Sequence, residues 1–252
     1  MSFIDELYRK SVFFFGDLKK LNCFPYVTWA TKEHKVDYDE ILKALSLIKY
    51  GDIGIHRDTG YFSNIAIPGF MKHAWIHIND GLQTPRIVEA VSEGVLGRSP
   101  IYPMFSDYAI ILTPQNCSVA ERKGACKKAE NIIGQLYDHN FKFNIEDELK
   151  FYHGSQAKEA AADLKEYERK IQKYDNAFSC TEVVSYAWWH KREALRLYRH
   201  KQRGKEVILA DDFLNHGWKI KWMSKSVTLD VAKKYKLHEE GLGMIEEYFN
   251  ND

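Results

Sequence analysis

Four short runs rich in β-branched and apolar residues sit close together in the first half of the chain: DIGIHR (52–57), HAWIHI (73–78), RIVEAV (86–91) and YAIILT (108–113). Each has strand length and strand composition, and turn-forming residues punctuate them, as in Asn79-Asp80-Gly81 after the second. Helical patterns lie on either side. DEILKALSLIKY (39–50) places Ile41, Leu42, Leu45 and Ile48 on one face and is stopped by Gly51. Ser118 and Glu121 form a capping-box pattern ahead of a helix that buries Ala125, Cys126, Ala129, Ile132 and Ile133 and stops at Gly134. Strands gathered between leading and returning helices imply an α+β fold. YAIILT is apolar almost throughout and is expected inside the sheet, while GRSP (97–100) reads as loop.

The chain has 252 residues, enough for one large core. Its 36 Lys and Arg nearly cancel 35 Asp and Glu, so nothing in the charge calls for nucleic acid. The basic run HKREALRLYRHKQRGK (190–205) reads as the wet face of a helix. The apolar patch 12–15 is too short for a signal-peptide core, and no window reaches the length of a membrane span. Ile4, Leu7, Tyr8, Phe15 and Leu18 instead suggest an amphipathic packing helix. The four cysteines, Cys23, Cys117, Cys126 and Cys180, form no CxxC pair. Reduced thiols in a cytoplasm are the expectation, with no disulfide scaffold. Residues 155–175 carry a narrow stripe of Ala160, Leu164, Tyr167, Ile171 and Tyr174 among charges, the pattern of a solvated helical insertion. In the tail, Asp211 or Asp212 could cap a short helix, and 218–223 alternates like a strand.

Three residues carry the candidate chemistry. Ser179 and Glu182 form a second capping box, which makes Cys180 the first residue of a helix. A helix start favours an anion, so a thiolate is stabilised there. The plain alternative is that Cys180 is a small core residue. His73 and His77 share a side of one strand, but Ala74 stands where a zinc-binding HExxH helix would need glutamate. No metal site and no cofactor is expected. His73 opens its strand after a loop, where a side chain reaches a cleft. Glu89 lies in an otherwise apolar strand. If RIVEAV is the hairpin partner of HAWIHI, Glu89 lies beside His73 or His77 and can orient an imidazole; otherwise it points outward.

In order along the chain stand Gly51-Asp52-Ile53, Lys72-His73, Glu89-Ala90 with Gly94-Val95, Gly134-Gln135-Leu136-Tyr137-Asp138, and Cys180-Thr181-Glu182-Val183. This series resembles the permuted NlpC-like cysteine hydrolases of the papain-like superfamily, and within them the YiiX/YebB-like group. The histidine precedes the cysteine, as the circular permutation of that family requires. The resemblance covers roughly residues 50–190 and, more loosely, ADDFLNHG (210–217). It implies a circularly permuted papain-like fold, a small antiparallel sheet packed with helices. The domain plan is then a single domain over 1–252: a helical extension over 1–50, a catalytic core over 51–190 with a helical insertion at about 144–176, and a C-terminal extension over 191–252. Cys180 would be nucleophile, His73 base and Glu89 the orienting residue, with Tyr137 and His77 near the substrate. Lys72 and Thr181 depart from the small residue and the serine usual at those places.

The expected activity is hydrolysis of a peptide or other amide of cell-wall type through an acyl-enzyme. Two alternatives stand beside it. One is an acyl or ester enzyme on lipids, since lecithin–retinol-type acyltransferases resemble the same group. The other is a non-catalytic binding module.

Overall fold

The computed structural model describes residues 18–20, 27–29, 34–59, 69–79, 86–137, 177–197, 200–202 and 205–251. The predicted insertion at 155–175 and nearly all of the predicted N-terminal helix lie outside them. Leu18, the last residue assigned to that helix, instead opens a short strand β1 (Leu18–Lys20), paired antiparallel with β2 (Val27–Trp29).

The centre of the molecule is one six-stranded sheet. Its strands are β3 (Ile53–Arg57), β4 (His73–His77), β5 (Ile87–Val91), β6 (Gly94–Arg98), β7 (Tyr108–Pro114) and β12 (Trp218–Met223). They lie in the order β12-β7-β3-β4-β5-β6, and every neighbouring pair is antiparallel. The chain is therefore α+β. YAIILT becomes the interior strand β7, between β12 and β3, and 218–223 is the strand its alternation predicts.

Strand β6 corrects the reading of Gly97-Arg98 as loop. Two glycines within GVLGR weaken the strand signal. Tertiary pairing overrides it: Val91 pairs with Gly94 across a tight Ser92-Glu93 turn, and the ladder runs on to Ile87 opposite Arg98. Gly94 takes φ +120°, and a Cβ there would lie 2.6 Å from the Gln135 carbonyl oxygen. That carbonyl accepts the Val95 N–H, and the Val95 carbonyl accepts the Gly134 N–H. The Gly94-Val95 and Gly134–Tyr137 segments thus meet in space.

Both faces of the sheet are covered. On one lies helix α1 (Tyr38–Leu47), which starts one residue before the expected Asp39. Asp37 caps it: Asp37 Oδ1 accepts the Glu40 N–H at 2.8 Å and the Glu40 carboxylate accepts the Asp37 N–H. Ile41 and Ala44 go under the sheet with Trp75, Ile87, Ile111 and Trp222. Leu42, expected on that face, is largely exposed, because Ala44 takes the buried position three residues after Ile41.

The other face packs against α3 (Val119–Asn131) and α4 (Cys180–Trp188), and the core there extends to Ala232, Met244 and Ile245 of α5 (Leu229–Lys234) and α6 (Glu239–Asn251). Between β6 and β7 sits the single turn α2 (Ile101–Met104). Ser118 and Glu121 form the expected capping box of α3, and Ala125, Cys126, Ala129 and Ile132 are buried. Ile133 lies past the helix end and is partly exposed. Cys117 is a half-buried thiol outside the helix.

The C-terminal segment supplies the edge strand β12. Where it is described, the basic run is not an α-helix. After a single 3-10 turn (Trp189–Lys191), Arg196 takes φ +53°, and β10 (His200–Gln202) and β11 (Lys205–Val207) form a hairpin. A second 3-10 turn (Ala210–Phe213) carries Asp212, whose carboxylate accepts the Leu209 N–H at 2.6 Å. Among the described residues, no helix is long and apolar enough to cross a membrane.

One close approach fixes a residue choice in the sheet. Gly54 pairs with Trp75, and a Cβ at Gly54 would lie 1.9 Å from the indole ring. Trp75 is fully buried and cannot swing into water. Gly54→Ala is expected to destabilise the protein by about 1–3 kcal/mol through overpacking. A lowered urea midpoint at unchanged slope measures this; an unchanged midpoint would show that the indole has room to move.

Candidate active site

The register of β4 and β5 decides which histidine Glu89 meets. Ile76 pairs with Val88 and His77 with Ile87. Continuing that register puts Glu89 beside Trp75, with His73 and His77 as its two diagonal neighbours, so spacing alone cannot choose between them. The side chains choose His73. Glu89 Oε2 lies 2.6 Å from His73 Nε2. The other carboxylate oxygen, Oε1, accepts the Nε–H of Arg98, which stands diagonally to Glu89 on the opposite neighbour β6. Glu89 is 1% exposed, so a carboxylate inside the sheet is held between two cationic partners.

Cys180 is the first residue of α4, as the capping pattern predicts, and Ser179 is its N-cap. The Glu182 carboxylate accepts the Ser179 N–H and fixes the start of the helix. The sulfur comes to the beginning of β4: Cys180 Sγ lies 4.0 Å from the Lys72 carbonyl oxygen. The thiol and the His73 imidazole lie close enough to act directly on each other's charge. With Nε2 committed to Glu89, Nδ1 is the nitrogen left for the sulfur. The backbone N–H groups of Ala74 and Thr181 also point at Sγ.

The electrostatics follow from this row. Burial opposes an ionised Cys180, but the imidazolium of His73 and the two N–H groups outweigh it and pull the thiol below its ordinary range. Burial likewise opposes a charged His73, yet the Cys180 thiolate and the Glu89 carboxylate lift the imidazole to about 10. Burial would raise Glu89, but His73 and Arg98 hold it down at about 2. The other two thiols among the described residues go the opposite way. Burial pushes Cys126 up to about 12, and burial raises Cys117 as well.

Tyr137 is half-buried on β8 (Leu136–Tyr137), which pairs parallel with β9 (Ala177–Phe178). Its register partner is Phe178, two residues before Cys180. His77 is a different case. It has no accessible surface, and its backbone is tied into the core by Gly51 N–H and Cys126 Sγ on its carbonyl and by its own N–H on the Asp52 carbonyl. The expectation that His77 contacts substrate is therefore corrected: it faces the core at the far end of β4 from His73.

Three contributors escaped the sequence reading. Arg98 fell in a segment read as loop. His56 pairs with His73 across β3 and β4, with ring centroids 4.8 Å apart; burial and the charge on His73 drive its imidazole down to about 3, so it stands neutral beside His73. Asp211 holds the segment leading to His73 by accepting the N–H groups of Phe70 (2.5 Å) and Met71 (2.6 Å). Only the strand pairings could have revealed the first two.

The arrangement supplies a nucleophilic sulfur, a proton carrier against it and a buried anion behind the carrier. Among the described residues, no group of three His, Cys, Asp or Glu side chains could hold a metal ion. Compared with known proteins, the chain matches no family model, no curated sequence and no solved structure.

Proposed function

We propose that this protein is a cysteine hydrolase that cleaves amides, of the kind found in cell-wall peptides, through an acyl-enzyme on Cys180, in a circularly permuted papain-like fold. One observation carries the reading: His73 and Glu89 are hydrogen-bonded across neighbouring strands, Cys180, more than a hundred residues on in sequence, brings its sulfur to the start of the same strand as His73, and that thiol is pulled down while the other two described thiols are pushed up. The chain order of these residues and the meeting of the Gly94-Val95 and Gly134–Tyr137 segments support the family resemblance.

In this mechanism the Cys180 thiolate attacks the carbonyl carbon. Backbone N–H groups at the start of α4, beginning with that of Cys180, receive the oxyanion. His73 Nδ1–H protonates the departing amine as the C–N bond breaks. Neutral His73 then takes a proton from water, whose oxygen attacks the thioester and releases the acid. Glu89 fixes the ring and stabilises its charged form throughout. No step calls on a metal or an organic cofactor.

The test is intact-mass analysis after incubation with cell-wall-type peptides and, separately, short-chain acyl esters. An acyl adduct on Cys180 from the peptides supports the reading. Adducts from the esters alone would move the substrate class to acyl lipids, and turnover of peptides by Cys180→Ala would sink the nucleophile assignment. His73→Ala is expected to lower kcat/KM by roughly 10²–10⁴, and Glu89→Gln by less, because the amide keeps the shape but not the charge. Full activity in Glu89→Gln would reduce Glu89 to a strand residue.

A further inference from the structure

Attack by a thiolate needs His73 to stay charged beside it, and that places a demand on Glu89. A carboxylate 1% exposed and facing one imidazole has an alternative to ionisation. Glu89 can hold the proton itself while His73 and Cys180 are both neutral. Every group in the row then loses its charge, and with it the desolvation cost. The row is kept ionised only if something permanently positive faces Glu89.

We propose that Arg98 is a positioning residue for this site: its guanidinium, fixed on β6 diagonal to Glu89, keeps the carboxylate ionised and turned toward His73, and so favours the thiolate form of the nucleophile. This rests on the hydrolase reading of Cys180 and His73.

The geometry supports it at each link. Arg98 Nε and His73 Nε2 take different oxygens of the same carboxylate, so neither partner displaces the other. Charges alternate along the row: thiolate, imidazolium, carboxylate, guanidinium. Without Arg98 a buried row would carry one excess negative charge. Arginine suits the place better than lysine, because it does not lose its proton in the accessible pH range and its planar fork fixes the direction of the N–H. Arg98 is itself held over the Tyr102 ring, with its guanidinium carbon 5.4 Å from the ring centre, and a third of its side chain stays in water. Among the described residues, the ionisable groups around Glu89 and His73 include His56 on β3, Arg98 on β6 and Cys180 at the start of α4, while Lys72, next to His73, lies in the field of Arg57 and Asp211. His34, before α1, acts on His56 only through its charge. Among these described residues, Arg98 is the permanent cation that meets the Glu89 carboxylate directly.

The experiment is the pH profile of Cys180 alkylation by iodoacetamide, followed by mass spectrometry, in wild type, Arg98→Gln and Arg98→Lys. In Arg98→Gln the acid limb is expected to move up by about one pH unit or more, because Glu89 takes up its proton earlier and the thiolate loses a nearby cation. Arg98→Lys should move it in the same direction by less. A uniform fall in rate with the limb unmoved, or an unchanged profile, would overturn the proposal, since a merely structural role moves stability and not the limb. Should Arg98→Gln fail to fold by thermal melt, the lysine variant decides, and an unmoved limb there overturns the idea. If Cys180 in wild type labels no faster than Cys117, the hydrolase reading itself fails, an outcome distinct from failure of Arg98 alone.

Discussion

Cys180→Ala is expected to abolish covalent turnover, a loss on the order of 10⁶ in kcat for an enzyme whose nucleophile is removed. The same residue should dominate the thiol chemistry of the wild-type protein. Near neutral pH, iodoacetamide is expected to modify Cys180 well before Cys117 and Cys126. Burial alone predicts otherwise: Cys180 is 7% exposed, and Cys117 is more accessible. The order reverses because alkylation needs the thiolate. His73 supplies the counter-charge at Cys180, whereas burial without a counter-charge drives Cys126 up to about 12. The sign with pH follows. The thiolate persists from below the usual thiol range upward, and its imidazolium partner persists until pH approaches about 10. Labelling should therefore persist to a lower pH at Cys180 than at an ordinary thiol. Peptide mapping after a short pulse of reagent measures the ranking. Cys117 labelling ahead of Cys180 in folded protein would remove the central support for the proposed chemistry.

The parts of this site legible in the sequence were those written in local chemistry. Ser179 and Glu182 announce a helix start within a few residues, so the place of Cys180 at the first turn follows from the spacing. An acidic residue inside an apolar run, Glu89 in RIVEAV, signals a carboxylate that needs a partner. What spacing cannot carry is the identity of the partner across strands. His73 and His77 are equivalent diagonals of Glu89 until the side chains choose, and a one-residue slip in register would remove both. Arg98 was hidden for another reason. Its strand contains two glycines and owes its existence to pairing with β5 and to the Gln135 carbonyl, neither of which leaves a local trace. The same holds for the tail. Asp211 reads as a helix cap because aspartate often is one, but its carboxylate is spent on Phe70 and Met71, far away in sequence.

Gly51-Asp52-Ile53 resembles a family motif, and its chemistry here is stabilisation at a distance from the sulfur. Asp52 has no accessible surface. One carboxylate oxygen accepts Arg122 Nη1–H at 2.8 Å; the other accepts Lys221 Nζ–H at 2.6 Å and the Lys49 N–H at 2.8 Å. It therefore ties α3 and β12 to the start of β3, and the Asp52 carbonyl accepts the His77 N–H at the adjoining end of β4. Asp52→Ala leaves two cations facing a buried space. Breaking a buried ion pair from one side costs about 3–5 kcal/mol. Both cations keep roughly a fifth of their side-chain surface in water and can retreat, which favours the lower figure. For a chain of this size that is a fall in Tm on the order of ten degrees. Asp52→Asn should fall between, because the amide oxygen still accepts one hydrogen bond while the charge is gone. The position within the sheet gives the second half of the prediction. Asp52 and His77 lie at one end of the β3–β4 pair, and His56 and His73 lie at the other. Asp52 variants studied below their lowered Tm should therefore keep the wild-type acid limb of Cys180 alkylation, whereas Arg98→Gln shifts it. A shifted limb in Asp52→Ala would mean that the two ends of the pair are coupled, and an unchanged Tm would mean that the two cations find other partners without cost.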